Sequence, residues 1–344
     1  MLTIKYKKVM SIKVAINGFG RIGRCFLRRA MEYKDIEVVV INDLMATPEA
    51  AAYLFKYDSV YRKYKGNVSY ENNSLIVDGK NIIITRERDP EALPWKRLDI
   101  DVVVECTGCF TDKEAAERHL KAGAKKVIIS APSKNADATV VLGVNEDIYN
   151  PEKHNIISLA SCTTNSLAPV AKVLNDSFGI ESLIITAIHA YTAGQALVDS
   201  FGKRLRRARA AGVSIIPTTT GATIATEQVL PELKGKMAGL AMRVPIICGS
   251  VTDIVAILRK EVTAEEINNT LRMYSKERMK GILEVTDDRI VSSDIIGNSH
   301  SAIVDAVSTM VLQKRVVKVL SWYDNEWAYA CRLVDFTKLI GRLL

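Results

Sequence analysis

Residues 14–30, VAINGFGRIGRCFLRRA, place three glycines as Gly18-x-Gly20-x-x-Gly23 between a short apolar run and a helix-like pattern. No other segment constrains the fold as strongly. The first glycine permits a tight turn and the second lets backbone approach a pyrophosphate. The third allows a helix to pack closely on a strand, and the helix N-terminus offers N–H groups to an anion. The spacing is weak by itself and gains weight from its strand-before, helix-after context. A second run, IEVVVIND (36–43), ends in Asp43, 20 residues beyond Gly23, where an acid would grip ribose hydroxyls. A loop acid capping a turn is the competing reading of Asp43. As a ribose ligand it favours NAD over NADP, because a carboxylate repels a 2′-phosphate.

The first half of the chain keeps this rhythm. Apolar runs at 101–108, 125–132 and 138–145 alternate with a helical pattern at 112–122, which predicts a mostly parallel sheet covered by helices. In the second half, strand-like segments at 182–190, 243–258 and 302–323 are longer and helices fewer, so a mixed or antiparallel sheet is expected. Thr263 and Glu266 form a capping box before one helix. Tyr329, Leu333, Phe336 and Ile340 recur at helical spacing, so the chain should end in an amphipathic helix.

With 344 residues the chain has room for two domains, and no apolar run approaches the roughly 20 residues that span a bilayer. The opening MLTIKYKKVM is basic but lacks an apolar core and a cleavage site, and reads as a frayed extension, or an upstream start before Met10, rather than a signal peptide. Six scattered cysteines suggest no disulfide framework and fit a cytosolic setting. Cys106 and Cys109 form a single C-x-x-C, and none of His119, His154, His189 and His300 stands at metal-ligand spacing to it; no metal is expected. The net charge of +8 draws partly on Lys203, Arg204, Arg206, Arg207 and Arg209. Charge alone leaves three readings: a nucleic-acid surface, a solvated loop, or a site for phosphate-bearing small molecules.

In SLASCTTNSLAPVAKVL (158–174), Cys162 stands just ahead of a helix-like run. A helix N-terminus and a nearby imidazole both lower a thiol pKa, and the next strand-like segment carries His189. The run after Cys162 reads as a helix ending at Gly179, although Pro169 could not sit deep inside it without a kink; if the regular helix starts nearer Ala168, Cys162 lies in an irregular lead-in, near the positive end either way. Taken singly, each residue also reads as an ordinary buried side chain.

INGFGRIGR, SCTTN, HAYTA, SIIPTTTGA, RVP and WYDNEW occur in the order found in phosphorylating glyceraldehyde-3-phosphate dehydrogenases, and the resemblance runs from about Lys13 to the final helix. It implies an α/β architecture. A Rossmann doubly wound parallel sheet (11–161, completed by the C-terminal helix 325–344) would be joined to an α+β catalytic domain with a mixed or antiparallel sheet (162–324). Cys162 would attack the aldehyde carbon as a thiolate, and His189 would sustain the thiolate and shuttle the proton. Thr192 and Arg243 would bind the substrate phosphate; Ser161, Thr163, Arg207, Thr220 and Gly221 would bind the attacking inorganic phosphate. Arg21 and Ile22 would face the pyrophosphate, while Arg88, Thr107, Gly108 and Ser130 would line the cofactor cleft. Asn325 would orient the carboxamide. The family resemblance also implies a homotetramer.

Two departures qualify the match. The family's second threonine, two residues after the position of Thr192, is Gly194 here. Ser200-Phe201 replaces a Leu-Pro or Gly-Pro pair common in NAD-specific members, which leaves NADP use open beside NAD. The erythrose-4-phosphate dehydrogenase branch shares the cysteine and histidine and is the nearest rival; a basic nucleic-acid-binding protein that has lost catalysis is a rival of another class.

Overall fold

Buried runs of β-branched residues make the strands that carry the first site. The computed structural model describes residues 11–344, so the extension read in MLTIKYKKVM lies outside the described residues. The chain forms two compact units: one runs through Ala138 and adds Tyr149–Leu159 and Ala330–Leu344, and the other comprises Thr139–Ile148 and Ala160–Tyr329.

In the first unit the strand Ile12–Asn17 pairs in parallel with Ile36–Asn42 on one side and Val102–Glu105 on the other. Lys126–Ile129 and then Ile156–Ser158 extend the parallel set. Valines and isoleucines with no polar alternation are what a strand covered on both faces requires. The helix Arg21–Ala30 buries Cys25, Phe26, Leu27 and Ala30. Lys113–Lys121 starts at Asp112, whose carboxylate accepts from Ala115 N–H at 2.9 Å. Trp95, Val103, Ala116, Val127 and Ile156 belong to one core cluster. An antiparallel set, Val68–Glu71, Ser74–Val77 and Lys80–Thr85, joins the sheet beside Ile36–Asn42.

The second unit centres on the strand Ile180–Ala190, parallel to Met237–Val244 and antiparallel to Ser250–Leu258. Val316–Tyr323 continues this mixed sheet on the far side of Ser250–Leu258. The helix Cys162–Phe178 packs against it with Thr163 through Ala171 all buried. The helix Ala264–Lys276 opens with the expected capping box: Thr263 N–H donates to Glu266 at 2.7 Å and Glu266 N–H to the Thr263 hydroxyl at 3.2 Å.

Three expectations shift. The apolar stretch 138–145 is a strand only at Ala138–Thr139. Beyond it Asn145 ties a turn, accepting from Val141 N–H at 2.8 Å and donating to the Thr139 carbonyl at 3.0 Å. Val141 and Val144 are buried in the core of the second unit, so 139–148 groups there rather than within an unbroken 11–161. The C-terminal helix spans Trp327–Leu343, and only from Ala330 does the chain group with the first unit. The long run 302–323 breaks into Ala302–Asp305, Met310–Leu312 and Val316–Tyr323, with Gln313 and Lys314 turning at φ 51° and 60°.

Asn145→Ala removes both bonds of the turn and leaves the Val141 N–H and Thr139 carbonyl unsatisfied. The expected cost is about 1–3 kcal/mol, read as a lowered urea midpoint with unchanged NAD binding.

Candidate active site

The glycines of the first unit divide their roles as the motif requires. Gly18 has φ +96°, and a Cβ there would lie 2.7 Å from Thr107 N; a Cβ on Gly23 would lie 2.2 Å from the Gly18 carbonyl oxygen. Those two positions are closed by the protein itself. At Gly20 a Cβ would meet nothing within 4 Å, and no side chain caps the helix that starts there. An uncapped helix N-terminus beside open space suits a phosphate group. The adjoining cavity of about 490 Å³ is lined by Gly18, Gly20, Asp43, Arg88, Thr107 and Phe110 among others. Its size and donor set fit a dinucleotide.

Asp43 has the contacts of the turn-capping reading and stands at the cavity wall. It accepts from Phe19 N–H at 2.8 Å and from Met45 N–H at 2.9 Å, which holds the turn, and it lines the cavity. Arg21 points its guanidinium at Asp58 in a bidentate pair, so what it and Ile22 bring to the helix start is backbone. Gly108 turns at φ +71°, and Ser130 N–H donates to the Glu105 carbonyl at 3.0 Å. Cys106 lines the cavity with its thiol pushed up to about 12 by burial, and Cys109 is an exposed free thiol.

Beneath this cavity lies a buried polar network that sequence reasoning missed. Glu105 accepts from Asn17 Nδ2 at 2.5 Å, Thr107 N–H at 2.7 Å and the Thr107 hydroxyl. Trp95 donates to His119 Nδ1 at 3.1 Å, which leaves Nε2–H to donate to Glu105 at 3.3 Å. Asn42 Nδ2 donates to Asn17 Oδ1 at 2.7 Å. The signal was legible: Asn17, Asn42 and Glu105 are polar residues closing apolar runs, at the carboxyl ends of parallel strands.

In the second unit, the chain enters its long helix through Ala160 at φ +54°, a conformation costly for a residue with a Cβ. Ser161 caps the helix, its hydroxyl accepting from Thr164 N–H at 3.0 Å. Regular helix therefore begins at Cys162, the earlier of the two starts that the sequence leaves open, and ends at Phe178 before Gly179. Pro169 lies inside; burial on every side of the helix offsets the one backbone bond it forfeits. Cys162 Sγ stands 3.5 Å from His189 Nε2. Parallel register pairs His189 with Arg243, which brings the guanidinium beside the imidazole.

The Ala190 carbonyl oxygen, an acceptor only, lies 2.7 Å from His189 Nδ1 and 3.0 Å from Arg243 Nη1. Nδ1 therefore carries the proton, and Nε2 has the lone pair that receives the Cys162 thiol. Arg243 Nη1 also approaches Nδ1 at 2.8 Å, but two donors cannot bond; its hydrogen bond is to the carbonyl. Burial, then Arg243, push His189 down to about 3. Burial raises the Cys162 thiol, opposed first by Arg243 and then by hydrogen bonds from Thr163 and the backbone. The helix position predicts a lowered thiol pKa; burial outweighs it and raises the thiol instead. The pair rests neutral.

The expected phosphate ligands sort into two kinds. Thr163 is buried with its hydroxyl 2.9 Å from that of Tyr323, and Ser161 is committed to its cap. Thr220 accepts from Ala222 N–H at 3.1 Å, and Gly221 is the uncapped start of the helix Ala222–Val229. Arg207 is steered by a 2.9 Å bond from Nε to the Thr218 hydroxyl. Burial, then Arg243 and Arg204, lower the pKa of Arg207; burial lowers that of Arg243, and Arg243 Nε is buried without a partner among the described residues. A cation with an orphan buried donor has the chemistry to take an anion. Thr192 is exposed, and a side chain at Gly194 would meet nothing within 4 Å. Asn325 Oδ1 accepts from Gly249 N–H at 3.2 Å and the Ser250 hydroxyl at 2.9 Å. Its amide NH₂ is then left to donate, which suits a carboxamide oxygen.

A family model described as glyceraldehyde 3-phosphate dehydrogenase, NAD binding domain, matches residues 12–113, and its C-terminal domain counterpart matches 161–325. Glyceraldehyde-3-phosphate dehydrogenase 2 of Bacillus subtilis (strain 168) is 53% identical over 332 residues, 96% of this chain and 97% of that protein. The glyceraldehyde-3-phosphate dehydrogenase of Geobacillus stearothermophilus is 54% identical over 332 residues, covering 96% and 99%. That of Thermotoga maritima is 55% identical over 333 residues, again covering 96% and 99%. The chain belongs to the glyceraldehyde-3-phosphate dehydrogenase family.

Proposed function

We propose that the chain is an NAD-dependent enzyme that oxidises D-glyceraldehyde 3-phosphate and captures inorganic phosphate, giving 1,3-bisphosphoglycerate. Cys162 Sγ at 3.5 Å from His189 Nε2, on a helix N-terminus beside Arg243, is the observation that carries this reading. The erythrose-4-phosphate and nucleic-acid alternatives are not favoured: the relatives are named for the triose enzyme. The cations Arg207 and Arg243 have a small-molecule explanation.

As sulfur bonds to the aldehyde carbon, the thiol proton passes to His189 Nε2 and on to the carbonyl oxygen, leaving a thiohemiacetal. The developing oxyanion is met by the helix N-terminus at Cys162 and by the protonated imidazole. Arg243 and Thr192 hold the substrate phosphate, with Gly194 leaving one contact fewer than the family pattern. His189 then takes the hydroxyl proton back. NAD, when bound, would supply the hydride acceptor; the turn Gly18–Gly23, Asp43, Arg88, Thr107, Gly108 and Ser130 would hold it, and Asn325 would take the carboxamide. The resulting thioester keeps the oxidation energy. Phosphate held by Arg207, Thr220, Gly221 and the capped start of the Cys162 helix attacks the acyl carbon and expels the Cys162 thiolate, which recovers its proton from His189. Domain assignments follow: the first unit binds dinucleotide and the second does the chemistry.

The protein works as a homotetramer in the cytoplasm. Ile184, Val255 and Ile257 are exposed, the in-register pair Ile184–Val255 placing them on one face of the second sheet. Such a face calls for a partner, and a second copy of the chain is the occupant the family resemblance implies. Among the described residues no helix is long and apolar enough to cross a membrane.

Three outcomes test the reading. An assay with glyceraldehyde 3-phosphate and phosphate, run with NAD and NADP in parallel, should show turnover favouring NAD; Cys162→Ser should lower it at least about 10³-fold while NAD binding persists. Arg243→Leu removes the charge that favours thiolate and disfavours imidazolium. Both pKa values should rise, so alkylation of Cys162 shifts to higher pH and slows at pH 7 by roughly tenfold. Light scattering should give a tetramer mass, and Ile184→Lys with Val255→Glu should reduce it.

A further inference from the structure

We propose that Ser250 is a positioning residue whose single hydroxyl sets both Asn325 and the backbone that orients His189. The inference rests on the reading of Asn325 as carboxamide ligand and His189 as base. Ser250 opens the strand Ser250–Leu258 and is 1% exposed. Its hydroxyl accepts from Ala190 N–H at 3.1 Å and donates to Asn325 Oδ1 at 2.9 Å. Ala190 in turn presents the carbonyl that receives His189 Nδ1 at 2.7 Å, and His189 Nε2 meets Cys162 Sγ at 3.5 Å. One oxygen atom thus connects the group that would fix the nicotinamide with the group that takes the thiol proton.

Only a side chain that donates and accepts at once can fill this place. Alanine supplies neither bond, and the thiol of cysteine supplies both weakly. Without the hydroxyl, Ala190 N–H and Asn325 Oδ1 each lose a buried partner. Gly249 N–H still holds Asn325 at 3.2 Å, so the amide keeps its face but loses half its anchorage. The turn before Ser250 has no slack: Gly249 has φ +89°, and a Cβ there would lie 2.2 Å from the Ser292 carbonyl oxygen. The groups facing His189 are Cys162, the Tyr323 ring at 6.0 Å, and the guanidinium groups of Arg243 and Arg207. Ser250 is uncharged, so its influence on the imidazole runs through the placing of Ala190 and the Nδ1 tautomer.

The experiment compares wild type, Ser250→Ala, Ser250→Cys, His189→Asn and Asn325→Ala as full-length enzymes. Three readouts are taken: the pH profile of Cys162 alkylation by iodoacetamide without cofactor, NAD affinity by titration, and steady-state kinetics. Ser250→Ala should move the alkylation profile toward that of His189→Asn. It should also weaken NAD binding roughly fivefold and lower kcat about tenfold or more, with KM for the aldehyde within about threefold. Ser250→Cys should fall between Ser250→Ala and wild type, and it carries the test if the alanine variant does not fold. An alkylation profile superimposable on wild type overturns the proposal, whether or not NAD affinity changes. So does a variant that loses only thermal stability. If Asn325→Ala binds NAD as wild type does, the carboxamide assignment fails, and the Ser250–His189 link still stands or falls on the alkylation profile.

Discussion

The carbonyl oxygen of Ala190 is the point on which the chemistry of the second unit turns. It lies 2.7 Å from His189 Nδ1 and 3.0 Å from Arg243 Nη1, and its acceptor-only chemistry favours the tautomer with the proton on Nδ1. Because Nδ1 must donate, Nε2 must accept, and the Cys162 thiol has one partner to which it can give its proton. The arrangement comes from parallel strand pairing. Leu183 through Ala190 run in register with Met237 through Val244, so His189 and Arg243 become neighbours without any local contact needing to select them. A slip of either strand by one residue would turn its own side chains to the other face and part the pair.

The same pairing sets an electrostatic conflict. Arg243 stabilises a thiolate and opposes an imidazolium, and burial opposes both ions. The resting pair is neutral for that reason, and the cation cluster of Arg207 and Arg243 stands uncompensated among its protein neighbours. On the proposed reading, a substrate phosphate set against the guanidinium groups would offset the share of the His189 depression that Arg243 and Arg207 cause, while the larger share, from burial, would remain. Substrate charge and proton transfer would be linked to that extent.

Much of this was legible in the residue order, and the exceptions share a cause. Gly18, Gly20 and Gly23 could be assigned turn, approach and packing because each role is local and follows from a missing Cβ. The capping box at Thr263 and Glu266 was equally readable, since it closes within one helical turn. The helix after Cys162 was readable but its start was not settled, because Pro169 argues locally for a later one. What overrides the proline is burial from Thr163 to Ala171, a property of the whole unit. The turn at 141–145 was hidden for a similar reason: its valines look like a strand but are buried in another unit's core by Asn145. The pKa of Cys162 lay furthest out of reach. The helix terminus and the imidazole can be read from spacing, whereas the depth that outweighs them cannot.

Glu105 shows how the first unit meets the opposite problem, an anion without a cation. It is 1% exposed, and the groups around it are donors of neutral type: Asn17 Nδ2, the Thr107 N–H and hydroxyl, and His119 Nε2. Burying a carboxylate is costly unless its oxygens are satisfied, and here they are satisfied by groups that themselves shape the cavity. Asn17 precedes Gly18, and Thr107 is the residue whose N–H stands where a Cβ on Gly18 would intrude. The carboxylate therefore draws together the two loops that flank the phosphate turn, while Trp95 fixes His119 from behind at 3.1 Å. Had Glu105 been paired with an arginine, that guanidinium would compete with the helix terminus for a dinucleotide's phosphates. Neutral donors hold the loops in place and leave the field of the helix Arg21–Ala30 to the ligand.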